Sequence, residues 1–203
     1  MRRESATVVS LTGETTASLL AALGRSGNVF VARAAPDEQV EAGDRTLSGW
    51  ERGARAMREA ARRRSMFVIV PDDPLAGVAA AWSAMWEPAA GPGAPQAFEA
   101  RAAETLAAWR DEQFELPDYY LMAAPAQRDG AAPDFYLGPL RAVRPRRVAV
   151  AAVAPADAAA QAALLLDTMR SLEHGPWWPP LDELLDAVRH FYAGALAESV
   201  GTE

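Results

Sequence analysis

Five short runs rich in apolar and β-branched residues, Thr7–Leu11, Val29–Ala32, Met66–Val70, Tyr119–Met122 and Val148–Val153, recur along the chain and predict strands. Several are apolar on consecutive positions, as strands are when helices cover both faces of a sheet. Segments of helical length lie between and after them. The pattern predicts one α/β domain over residues 1–203, a three-layer α/β/α sandwich on a mostly parallel sheet of about five strands.

The helical segments carry boundary signals. Ser48-Gly-Trp-Glu51 has the spacing of a capping box and opens a helix reaching about Arg64. Asp73 can cap the next helix with Pro74 at its first position, and Leu75, Val78, Ala79, Trp82, Met85 and Trp86 follow at helical spacing, so these tryptophans are expected to face the sheet. Residues 87–95 form a Pro/Gly linker that connects two helices and is flexible enough for a lid hinge. The helix after it is expected from Gln96 to Glu115, with Phe98, Ala102, Leu106 and Trp109 on one side and Leu116-Pro117 as its stop. One helical turn is predicted within 134–140. The last helix is amphipathic, with Leu181, Leu184, Leu185, Val188, Phe191 and Leu196 in one stripe and Asp182, Glu183 and Asp186 near its positive end.

Composition removes several chemistries. With no cysteine there is no disulfide, thiolate nucleophile or sulfur-held metal, and two histidines leave little for a histidine-rich metal site. All 20 basic residues are arginine, which excludes a Schiff-base or P-loop lysine and reads as the codon bias of a GC-rich genome. A net charge of −7 argues against sequence-independent nucleic-acid binding. No apolar run reaches the ~18 residues of a membrane span, and the Thr7–Leu11 run is too short for a signal-peptide core, so a cytoplasmic protein without membrane partners is expected.

In a parallel sheet, ligands bind beyond the carboxyl ends of the strands, which draws attention to residues 12–16, 36–38, 71–73 and 156–157. Glu14, Asp37 and Asp73 could converge there on a Mg²⁺, although each acid also suits the cap of the helix that follows it. Ser10-Leu11-Thr12-Gly13-Glu14-Thr15 resembles the phosphate-binding loop of flavodoxins, Ser/Thr-x-Thr-Gly-x-Thr, over these six positions. The resemblance implies a flavodoxin-/Rossmann-like sheet with a flavin or nucleotide phosphate over Ser10, Thr12, Gly13 and Thr15, beside which the carboxylates of Asp72 and Asp73 would be unfavourable. The comparable later loops lack the aromatic residue that family uses against the flavin ring. The cofactor stays unknown.

His174-Gly-Pro-Trp-Trp-Pro-Pro180 must be a rigid extended loop, because three prolines exclude helix interior and central strand. Neighbouring side chains alternate in such a segment, so one of Trp177 and Trp178 is expected to plug the core and the other to face outward. Arg52, Arg55, Arg58 and Arg62 could form a basic stripe, but the Glu51–Arg55 and Glu59–Arg63 spacings suit a solvated helix face. Arg141, Arg144, Arg146 and Arg147 precede the last strand, at its end away from the carboxyl edge. His190 stands isolated in the last helix, and no catalytic set emerges. The leading expectation is therefore an accessory domain that recognises a protein or peptide through Trp177, Trp178 and His174, with a homo-oligomer possible. On that reading, replacing Trp178 leaves the fold intact. The alternative is an enzyme or cofactor carrier with its ligand over Ser10, Thr12, Gly13, Thr15, Asp72 and Asp73.

Overall fold

The five apolar runs lie side by side as β1 (Thr7–Gly13), β2 (Val29–Val31), β3 (Phe67–Val70), β4 (Tyr119–Pro125) and β5 (Val148–Val153). Every pairing is parallel and the order is β2-β3-β1-β4-β5. The computed structural model describes residues 6–13, 15–32, 65–70, 73–87, 90–125, 134–153 and 157–200. The 48–64 helix with its capping box and arginine stripe, Glu14, Asp37 and Asp72 lie outside the described residues.

Side chains alternate along β1, and each face finds its own cover. Val9 and Leu11, with Ile69 and Leu121, pack against Leu19 and Leu23 of α1 (Ala17–Gly24) and Leu165 and Met169 of α5 (Ala158–Arg170). The opposite face carries α2 (Ala76–Met85), α3 (Ala94–Arg110), a π-helical turn Tyr136–Leu140 that runs into the short α4 (Arg141–Val143), and α6 (Leu181–Val200). The predicted three-layer α/β/α sandwich is therefore the observed architecture. All four residues of β3 are buried, which explains its unbroken apolar run. Trp82 is fully buried and meets the rings of Trp86, Phe98, Phe135, Phe191 and Tyr192 at 5.7–6.2 Å, joining α2, α3, the π-turn and α6 in one aromatic core.

α3 stops at Arg110, five residues before the predicted Glu115. Glu112 adopts φ 56°, its N–H donates to the Trp109 carbonyl at 3.0 Å, and the Gln113 N–H donates to the Ala108 carbonyl at 3.0 Å. This is a Schellman ending, and it lets Phe114 and Leu116 enter the core from extended chain. A left-handed conformation costs an ordinary L-residue about 1 kcal/mol relative to glycine. Glu112→Gly is accordingly expected to raise unfolding stability by about 1 kcal/mol in a urea titration, and an unchanged or lowered midpoint would speak against this ending.

The topology also fixes where a crevice opens. β1 leaves towards α1 on one face, whereas β3 leads to α2 and β4 to the π-turn on the other. Connections diverge on both sides of β1, which is the condition for a binding crevice at the carboxyl edge of a parallel sheet. Relative to a dinucleotide-binding sheet, β2 and β3 stand exchanged, so β3 rather than β2 adjoins β1. β3 ends at Val70, opposite Ser10, while β1 continues to Gly13 beside Ala123.

Candidate functional site

The Trp/Pro loop crosses the amino ends of β4 and β5 and is held there by arginines. Arg147, only 5% exposed, donates from Nε to the Pro176 carbonyl (3.0 Å), from Nη2 to Gly175 (2.7 Å) and from Nη1 to Asp118 (3.2 Å). Arg144 Nε donates to the Trp177 carbonyl at 2.7 Å and Arg146 Nη1 to the His174 carbonyl at 3.3 Å. The Arg144–Arg147 cluster thus lies at the amino end, as expected, and fastens the loop to the sheet.

The two tryptophans divide as alternation predicts. Trp178 is 5% exposed, donates from Nε1 to the Pro117 carbonyl at 2.8 Å, and sets its ring edge-on against Tyr120 at 5.7 Å. Trp177 is 39% exposed and carries the Arg147 guanidinium 4.9 Å from its ring centre. His174 is exposed. The expectation that Trp178 could be removed without harm to the fold is corrected here, because its ring belongs to the core beneath β4.

At the carboxyl edge a second set of polar groups gathers on the face covered by α2 and the π-turn. Asp73 follows β3, and its Oδ1 accepts the Leu75 N–H at 2.9 Å in a turn just ahead of α2; the expected cap is corrected, because α2 starts at Ala76 with Leu75 at its N-cap position and no side-chain cap. The Tyr136 hydroxyl donates to Asp73 Oδ2. Tyr136 is held in turn by Asp134, whose Oδ1 accepts the N–H groups of Tyr136 (2.9 Å) and Leu137 (3.0 Å). The Tyr120 ring lies 5.4 Å from that of Tyr136. Its hydroxyl is fully buried near the same carboxylate but outside hydrogen-bonding geometry. Ser10 stands beside Tyr120 in register, and Thr12 follows two residues along the same face. Both are buried, and neither hydroxyl has a hydrogen-bond partner among the described residues.

Electrostatics set this cluster apart. Burial pushes the Asp73 carboxyl above the usual carboxylate range, and the Tyr136 hydroxyl, the Leu75 amide and Tyr120 oppose the shift without cancelling it. Burial, then the negative charge of Asp73, pushes both phenols up, so Tyr120 and Tyr136 stay protonated. Since the folded protein holds the Asp73 proton more tightly than the unfolded chain, this group favours folding below the ordinary carboxyl range. That contribution is lost as pH rises through the raised value. The stability of the wild type relative to Asp73→Asn is expected to fall as pH rises above about 4 in paired urea titrations, and a rising difference would give the shift the wrong sign.

No family model, curated protein or solved structure matches the chain.

Of the residues singled out from sequence for the carboxyl edge, Ser10 and Thr12 lie on the sheet face that α2 covers, and Asp73 stands in the turn that leads from β3 to α2. Gly13 has φ 89°, and a Cβ there would collide with the Ala123 carbonyl, which accounts for glycine by backbone approach alone. Thr15 is exposed. The side chain that caps α1 is Thr16, whose hydroxyl oxygen accepts the Leu19 N–H at 3.2 Å. Ser10 and Thr12 face away from the α1 layer, so their hydroxyls and the α1 amides do not converge as in the flavodoxin-like loop. Among the described residues no group of three His, Asp or Glu side chains is placed to hold a metal ion. Tyr120 and Tyr136 were not foreseen. Asp73 and Tyr136 are 63 positions apart, and no spacing rule links them.

Proposed function

We propose that the protein binds a small molecule at the carboxyl edge of its sheet, over β1 between β3 and β4. Ser10, Thr12, Asp73, Tyr120 and Tyr136 are its polar contacts. The observation that carries this reading is the set of buried hydroxyls of Ser10, Thr12 and Tyr120, none with a hydrogen-bond partner of good geometry among the described residues, on the sheet face where the strand connections diverge and a buried carboxyl follows β3. A buried polar group left unpaired costs about 1–3 kcal/mol, and native proteins keep such groups where function uses them. A proton moved to or from the bound molecule would pass through Asp73.

The test is a thermal-shift survey with small molecules of varied charge. A ligand that raises Tm for the wild type and Trp177→Ala, but not for Ser10→Ala/Thr12→Val, supports the reading. A shift that survives in the double variant removes it.

A second reading places a protein or peptide partner at Trp177 and His174. It is favoured by an exposed indole on a loop already ordered by arginine bonds. A photo-crosslinker at position 177 would then give one discrete adduct in cell extract, and a smear or no adduct would count against it.

A further inference from the structure

Resting on the small-molecule reading of the carboxyl edge, we infer that its ligand is a cation, a primary or secondary amine bound as its ammonium form by Asp73. A carboxylate withdrawn from water needs a compensating charge or a full set of donors. Asp73 has the Tyr136 hydroxyl and the Leu75 N–H, with the Tyr120 hydroxyl beside it, all neutral. Among the described residues no ion pair joins a guanidinium to Asp73. An anionic ligand would set a second negative charge against it. A neutral ligand would leave the first uncompensated.

An ammonium group fits the remaining chemistry. It carries only donors, and the oxygens of Ser10, Thr12 and Tyr120, unpaired among the described residues, can accept them. The rings of Tyr120 and Tyr136, 5.4 Å apart and inclined at 39°, offer electron-rich faces beside the carboxyl. The net charge of −7 raises the local concentration of cations. A quaternary ammonium has the charge without the N–H groups, so it would leave the hydroxyls unpaired.

The experiment titrates the full chain with alkylammonium, alcohol and carboxylate ligands of matched length, together with tetramethylammonium, read by calorimetry and NMR shifts. The alkylammonium series is expected to bind at least about tenfold more tightly than the alcohols and the quaternary ion. Asp73→Asn should erase that preference, with circular dichroism confirming its fold. Ser10→Ala should weaken the ammonium by about threefold to tenfold and supplies a second route if Asp73→Asn misfolds. Alcohols or carboxylates binding at this edge as well as the ammonium, or an ammonium affinity untouched by Asp73→Asn, overturns the charge class and leaves the site standing. If no member of any series binds, the site reading falls with it.

Discussion

Arg147→Ala is expected to cost the fold about 3–5 kcal/mol and to free the 174–180 loop from the sheet. The guanidinium bridges three backbone carbonyls from two separate segments, Asp118 before β4 and Gly175 and Pro176 in the loop. It also packs 4.8 Å from the Tyr119 ring and 4.9 Å from that of Trp177. Each charge-assisted bond contributes about 1.5–3 kcal/mol, but the carbonyls lie at a sheet edge where water can partly replace the lost donor, so the net falls below their sum. Arg147→Lys should recover less than half, because a single ammonium cannot present the planar fork that meets three acceptors. Urea titration gives the loss, and trypsin cleavage after Arg170 gives the loop release. A penalty below about 1.5 kcal/mol would mean that the loop holds itself in place.

Trp178→Ala is expected to cost a similar amount, about 3–5 kcal/mol, whereas Trp177→Ala should cost under about 1 kcal/mol. Trp178 fills the core between Tyr120 and the start of α6, and its removal leaves both a cavity and an unpaired Pro117 carbonyl. Trp177 loses a guanidinium contact and some half-exposed packing. Guanidinium titrations of the two variants separate them. Equal losses would show that Trp177 packs more tightly than its exposure indicates.

These two residues also show what can be read from a sequence. Alternation in a proline-fixed segment predicts that the two indoles diverge, but which one turns inward depends on Pro117 and Tyr120, about 60 residues away, and on the arginine cluster beneath them. The strands were readable because burial on both faces makes them apolar without interruption, as β3 does over all four residues. The end of α3 was not, because Glu112 takes a left-handed conformation that no glycine announces. At the carboxyl edge, Ser10, Thr12 and Asp73 could be named from their positions after strands. Tyr120 and Tyr136 required the register of β4 against β1 and the placement of the π-turn over Asp73.

Whether the buried hydroxyls serve a ligand or the fold is decided most directly by the urea stability of Ser10→Ala/Thr12→Val without ligand. The proposal predicts a gain of about 1–3 kcal/mol, since two unpaired desolvated groups are removed. The ligand-induced shift in Tm would disappear in the same variant. A loss of stability would mean that both hydroxyls serve packing, and the carboxyl edge would then carry no binding site.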